Sequence, residues 1–257
     1  MPHRQPSIRS DIARSTTDTI TVRGRSLPDQ ILGHMDLATF SYLQLTGHEA
    51  SPEQARVYNA LLIALVEHGL TPSVLAARLT YAGAPEAIQA AIAAGLAGLG
   101  NVFVGSTEGA ARLLSEGVKN CPRDGSLGTV AERIVADHLD AGLLLPGIGH
   151  PLHKPIDPRT PRLWQIAKEN GLHGSYVELM NLISVTAERR TGRSLPVNAT
   201  GAVAALACEL GLPWRIVRGL GVMARAIGLV GHILEESENP IATEIWRRTD
   251  QEASAHQ

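Results

Sequence analysis

Cysteine is nearly missing from this chain: Cys121 and Cys208 are its only two, far apart and in no metal-ligand spacing. That argues against a disulfide framework and points to a reducing compartment. Cys208 falls within an apolar helical pattern, where a thiol serves as a small core residue. Net charge is missing too, at −2 with a pI near 6.6. No footprint for nucleic acid or an anionic membrane follows from such a balance. Partners are therefore expected to be small molecules or further copies of the chain. No run of about 18 uncharged apolar residues occurs, so no membrane span is expected. The first residues carry arginines without an apolar stretch, unlike a secretory signal, and Asp11 and Asp18 speak against a transit peptide. The expected location is the cytoplasm. No repeat of fixed period appears, which disfavours a solenoid.

What is present is globular. Hydrophobic residues make up 44% and charged residues 19%, too apolar for disorder and enough for one large domain or two lobes. Residues 1–17 are polar and aperiodic and read as a mobile arm. Asp18 to Gly24 alternates β-branched and polar residues, so a short strand or hairpin is expected there. Helical signals then dominate. Ser51-Pro52-Glu53-Gln54 forms a capping box ahead of a helix reaching Glu67. Thr71-Pro72 restarts a helix, and an alanine-rich one ends near Leu99. Further helices are expected over 108–116, 129–141, 161–171, 176–191, 201–210 and 214–236, the last followed by a polar tail. The pattern is all-α.

One segment resists that pattern. Pro146 to Arg159 holds two glycines and four prolines in fourteen residues, which excludes a helix and demands a shaped loop. It carries His150, His153, Lys154, Asp157 and Arg159, and loops on a rigid scaffold are where binding groups gather. A Pro/Gly connector with solvated side chains is the plainer alternative. A metal site of His150, His153 and Asp157 is sterically possible but non-specific on a loop, so no metal is expected. The Arg159 fork suits a carboxylate, or else a surface ion pair with Asp157. His68 stands between the end of one helix and the capped start of the next, beside N–H groups that favour anions. Interaction with its own helix dipole is the equal alternative. Arg225 interrupts an almost wholly apolar helix, so it must be paired, face a polar cavity, or reach the surface with its stem buried.

Four stretches, in order, resemble the citrate synthase superfamily, and more closely its citryl-CoA lyase branch, which includes the citrate synthase-like end of ATP-citrate lyase. They are VEHGLTPSVLAARLT (66–80), GLGNVFVGSTEGAARLL (98–114), PGIGHPLHKPIDPR (146–159) and LPVNATGAVAALACELGLP (195–213). The resemblance implies a two-lobed helical fold that dimerises or forms a larger homo-oligomer. The large lobe would comprise residues 18–104 and 213–257, and 105–212 would form a smaller mobile lobe. It also implies chemistry on the bond between an acyl-CoA and a 2-oxo acid such as oxaloacetate, with the coenzyme A ester as substrate and no tightly bound cofactor.

On the same resemblance His68 and His150 match the histidines that hold oxaloacetate and polarise its carbonyl. Arg159 and Arg225 match carboxylate-binding arginines. Phe103 and His153 would line the substrate. Phe103 stands where citrate synthases carry a histidine, and the lyase branch tends to have phenylalanine there. Thr200 stands where the family's catalytic aspartate is expected. A hydroxyl is far too weak a base to replace a carboxylate at neutral pH, although Thr200 can still cap the helix that follows. Two further arginines of the family's pattern are absent, replaced by Pro151 and by Glu236-Ser237. These departures imply an altered substrate or a non-catalytic binder of an acyl-CoA or dicarboxylate; a helical subunit serving only to assemble with a catalytic partner is a third reading.

Overall fold

Three short antiparallel strands come first: β1 (Ala13–Ser15), β2 (Ile20–Val22) and β3 (Arg25–Ser26), side by side in that order. The computed structural model describes residues 8–102, 104–123, 125–150 and 155–256. Ala13 pairs with Val22, and Thr21 with Ser26. The hairpin expected at 18–24 is present, but residues 13–15, assigned to the arm, form its third strand. Their side chains are exposed, so backbone pairing holds them and composition could not show it. Arg23 and Gly24 turn the hairpin with φ of 50° and 79°, the conformation that matches strand twist. The Arg23 guanidinium is tied down by donating to the Gln44 carbonyl through Nη2 at 2.6 Å and Nε at 3.1 Å.

A short π-helical turn at Leu27–Ile31 leads into α1 (Leu37–Thr46). Asp36 caps α1 by accepting from Thr39 N, and Gly47 ends it in the left-handed region. The pattern had not suggested α1, because its apolar residues follow no one-sided stripe. Next come α2 (Pro52–Val66), α3 (Pro72–Gly83) and α4 (Ile88–Ala97). The capping box at Ser51 and Gln54 forms as its sequence required. They are followed by α5 (Gly105–Lys119), α6 (Leu127–Asp140), α7 (Arg159–Glu169), α8 (Ser175–Thr191) and α9 (Ala199–Glu209). The chain then forms α10 (Trp214–Glu238) and α11 (Ala242–Ser254). The stretch taken for a polar tail is thus largely α11. Its first turn is fixed by a side chain of the preceding helix, since Glu236 Oε1 accepts from Ile241 N and Ala242 N at 2.9 and 2.8 Å.

α9 is buried nearly all round, as a central helix must be, and packs against α2, α5, α7, α8 and α10. One hydrophobic cluster runs from Tyr42 and Leu61 through Leu114, Met180 and Leu206 to Leu220 and Ala224. It draws on both the 105–212 segment and the segments flanking it. Cys208 belongs to this core, and burial pushes its thiol up to about 11. By length and composition α10 is apolar enough to cross a membrane, yet 44% of its apolar window is buried here against α2, α3, α4, α5 and α9. It serves as a core helix.

Candidate active site

His68 sits just beyond the end of α2. Glu67 closes that helix, Gly69 turns the chain with φ of 73°, and Thr71 caps α3. The turn is held by Glu67, whose Oε1 accepts from His68 N at 2.7 Å and Gly69 N at 2.6 Å. The His68 ring is thereby carried to the His150 ring, with centroids 5.9 Å apart and planes inclined by 41°.

His150 arrives from the other direction on a stapled loop. Gly147 and Gly149 have φ of 89° and 72°, a region that glycine enters without a Cβ penalty. Gly149 N donates to Pro196 O at 2.7 Å, and Asn198 N donates to Gly147 O at 3.0 Å. Asn198 Nδ2 adds a bond to Gly149 O at 2.6 Å. The loop before His150 is thus sewn to the start of α9.

That helix start differs from the expectation in one respect. Asn198, not Thr200, is its N-cap, with Oδ1 accepting from Gly201 N at 3.0 Å. Thr200 lies in the first turn, where its hydroxyl donates to Asn198 Oδ1 at 2.7 Å and accepts from Ser106 Oγ at 3.1 Å. The cap geometry wins because Asn198 is the residue with extended backbone preceding the helix.

Arg159 pairs with Asp157, as one alternative proposed, but the pair is not a surface one. Asp157 is fully buried and accepts from Arg159 Nε at 3.0 Å, Arg159 Nη2 at 2.9 Å, Arg159 N at 3.1 Å and Ala199 N at 2.9 Å. Burial alone would raise its carboxyl, but these donors outweigh it and hold the group down at about 2. With both oxygens engaged, Asp157 is no metal ligand. Among the described residues no group of three His, Cys, Asp or Glu side chains could hold a metal ion.

Arg225 is buried to 7% exposure. Its Nε and Nη1 have no hydrogen-bond partner among the described residues, and the nearest carboxylate, Glu67 Oε1, is 4.0 Å from Nη1. Burial lowers its affinity for the proton, Glu67 partly restores it, and the Arg159 charge lowers it again. Two guanidiniums close enough to repel, one with buried unused donors, form a site that an anion would complete.

The structure therefore brings His68 to His150, links Arg225 to His68 through Glu67, and places Arg159 beside the first turn of α9 that holds Thr200. Phe103 and His153 lie outside the described residues. Glu67, Ser106 and Asn198 were missed, because each acts through backbone or hydroxyl contacts that no spacing reveals. Two surface concavities, of about 530 Å³ beside His173 and Glu178 and about 390 Å³ beside Arg112 and Trp214, include none of these residues.

The all-α fold agrees with the comparisons to known proteins. The family profile described as citrate synthase, C-terminal domain, matches residues 12–249. The chain belongs to the citrate synthase family. Its fold is similar to the solved structure of citryl-CoA lyase from Hydrogenobacter thermophilus, with a TM-score of 0.81 and 32% identity, covering 89% of this chain and 86% of that one. ATP citrate lyase from Methanothrix soehngenii, solved with citrate and coenzyme A, shares the fold at a TM-score of 0.75 and 22% identity, covering 91% of this chain and 40% of that one. Citrate synthase 2 of Bacillus subtilis is 29% identical over 203 residues, 76% of this chain and 50% of that protein. The chain spans about half the length of the curated relatives it matches.

Proposed function

We propose that the protein is a citryl-CoA lyase-like enzyme, cleaving or forming the carbon–carbon bond between an acyl-CoA and a 2-oxo acid such as oxaloacetate. The observation that carries this reading is Arg225, a buried cation with unused donors whose nearest carboxylate, Glu67, also holds the backbone of His68, the ring of which lies 5.9 Å from that of His150. Substrate carboxylates would take the guanidiniums of Arg159 and Arg225. In cleavage, one imidazole takes the hydroxyl proton of a β-hydroxyacyl-CoA and the O–H electron pair forms the new carbonyl. The adjacent carbon–carbon bond breaks, and its electrons leave on an acyl-CoA enolate that is then protonated. The second imidazole donates to the forming carbonyl oxygen, a contribution of several kcal/mol in such sites. The coenzyme A ester is a substrate here rather than a bound cofactor. The chain works as a homodimer or larger assembly, a proposal supported by an apolar stripe left exposed on α10 at Met223, Ile227, Val230 and Leu234.

A second reading has its own support. The Thr200 hydroxyl is engaged by Asn198 and Ser106 and carries no carboxylate function, which favours a non-catalytic binder of an acyl-CoA or dicarboxylate. Incubating the purified protein with citryl-CoA decides between them. Release of oxaloacetate and acetyl-CoA supports the enzyme; binding of the CoA ester without turnover supports the binder, and neither result would end both.

A further inference from the structure

The site rests on a chain of charges, buried at Arg78 and Glu236 and exposed at Glu67, that the chemistry proposed above does not use. It begins at a close approach between helices. A Cβ on Gly228 of α10 would strike the Val66 carbonyl oxygen and come within 3.2 Å of Glu67 Oε2, so only glycine lets the end of α2 press against α10. One turn further along α10, His232 meets that same carboxylate, with Nε2 2.9 Å from Glu67 Oε2. The N–H is not aligned for a hydrogen bond at that separation, so the contact is one of charge and dipole that a small rotation would straighten.

The other ring nitrogen of His232 is fixed from behind. Arg78 of α3, 1% exposed, places Nη2 at 2.9 Å from His232 Nδ1. A guanidinium only donates, so Nδ1 is the acceptor and the ring proton belongs on Nε2, facing Glu67. Arg78 is itself held by Glu235 and by Glu236, whose Oε2 lies 2.8 Å from Nη1. Glu67 in turn holds the backbone of His68 and Gly69 and lies nearest to Arg225. Burial pushes its carboxyl up, but the His232 contact and the two amides outweigh burial and lower it, keeping it charged.

We infer that His232 is a positioning residue: with its tautomer set by Arg78, it orients the Glu67 carboxylate, which sets the place of His68 and balances the charge of Arg225. The inference rests on the site described above, while its structural part stands whether or not citryl-CoA is cleaved. Arg78 donates to His232, the Nε2–H of His232 faces Glu67, and Glu67 accepts from the His68 amide, so donors converge on the carboxylate from both sides. A purely architectural ion-pair cluster would be indifferent to which half of the imidazole is removed. A positioning chain is not.

Three variants of the full-length protein separate these cases. H232N keeps an acceptor for Arg78 but has no group reaching Glu67, H232Q supplies an acceptor and a donor, and H232L supplies neither. The readouts are the amide proton shifts of His68 and Gly69 by NMR, the affinity for oxaloacetate, and kcat and KM for citryl-CoA. H232N and H232L are expected to move both amide signals upfield and to weaken kcat on the order of tenfold to a hundredfold. H232Q is expected to restore the signals and most of the rate. Should H232L not fold, H232N against H232Q carries the comparison alone. Unmoved amide signals in H232N, or equal losses in H232N and H232Q, would overturn the inference. If the wild-type protein does not cleave citryl-CoA, the proposed reaction fails while the amide shifts still decide this point.

Discussion

A Cβ on Gly147 would lie 2.8 Å from the Cα of Gly201; the loop that carries His150 and the first turn of α9 touch backbone to backbone. The contact is mutual, because a Cβ on Gly201 would in turn run into the Gly147 carbonyl. Only glycine fits at either place, and at Gly147 the φ of 89° adds a second reason.

Gly201→Ala tests that contact. The intruding methyl would force the loop outward, with a loss of about 1–3 kcal/mol typical of overpacked interiors and a larger loss of ligand affinity as His150 moves. Urea unfolding beside titration with oxaloacetate reads both. A variant matching the wild type in both would show that the two backbones do not pack as described.

Thr200→Asp places a carboxylate in the first turn of α9, within reach of the Ser106 hydroxyl and favoured by the helix N-terminus. If the missing base limits activity, this single change creates or greatly raises citryl-CoA cleavage. No change in rate would mean that Thr200 was never the deficit.

Arg225→Met separates binding from stability. The native side chain is a buried cation with unused donors, and exchanging such a group for an apolar one of similar volume is often neutral or stabilising. We expect an unchanged or raised Tm together with a fall in dicarboxylate affinity of about 100-fold, as for lost charge-assisted bonds. A sharply lowered Tm with affinity intact would assign Arg225 to architecture instead.

How much of this was legible in the sequence follows from the kind of signal each feature leaves. Caps and breakers leave strong ones, so Ser51-Pro52 and the glycines of 146–159 located α2 and the loop, and His68, His150, Arg159 and Arg225 stood out by charge in unexpected company. α1 was missed because its apolar residues follow no one-sided stripe, and α11 because its polar composition hides a start that is set by a side-chain contact, Glu236 accepting its first amides. Thr200 has the residue type of a cap and precedes glycine, yet Asn198, with extended backbone, takes that place and accepts from Gly201 N. Glu67 and His232 were invisible for a similar reason. Their role depends on two helices meeting at Gly228, which is a tertiary fact.

Asp157 gives the structure an acid limit. Its carboxyl is held at about 2 against an ordinary value of 3.8. A depressed group stabilises the fold fully above its unfolded value and loses that contribution as pH falls through the folded one. Stability should therefore drop by roughly 2 kcal/mol between about pH 4 and pH 2. Asp157→Asn should remove that part of the pH dependence, and it should cost about 3–5 kcal/mol at neutral pH by stranding Arg159. Denaturant midpoints across the pH range check both signs, and a variant with the wild-type acid profile would shift the role to another carboxylate.

The exposed face of α10 makes the last prediction. Met223, Ile227, Val230 and Leu234 recur at helical spacing and are 37% to 60% exposed. Gly219 and Gly231 stand with them, and a Cβ at either would meet nothing within 4 Å among the described residues. Inside one molecule those glycines bring no packing advantage and carry the usual entropic penalty of glycine in a helix. A second copy of α10 approaching closely along the stripe would account for all six residues together. Gly231→Leu should accordingly fold as well as the wild type, or slightly better, and yet shift the assembly toward monomer in light scattering. Unaltered association would leave the stripe without a partner of that kind, and a monomeric wild type would remove the proposed dimer altogether.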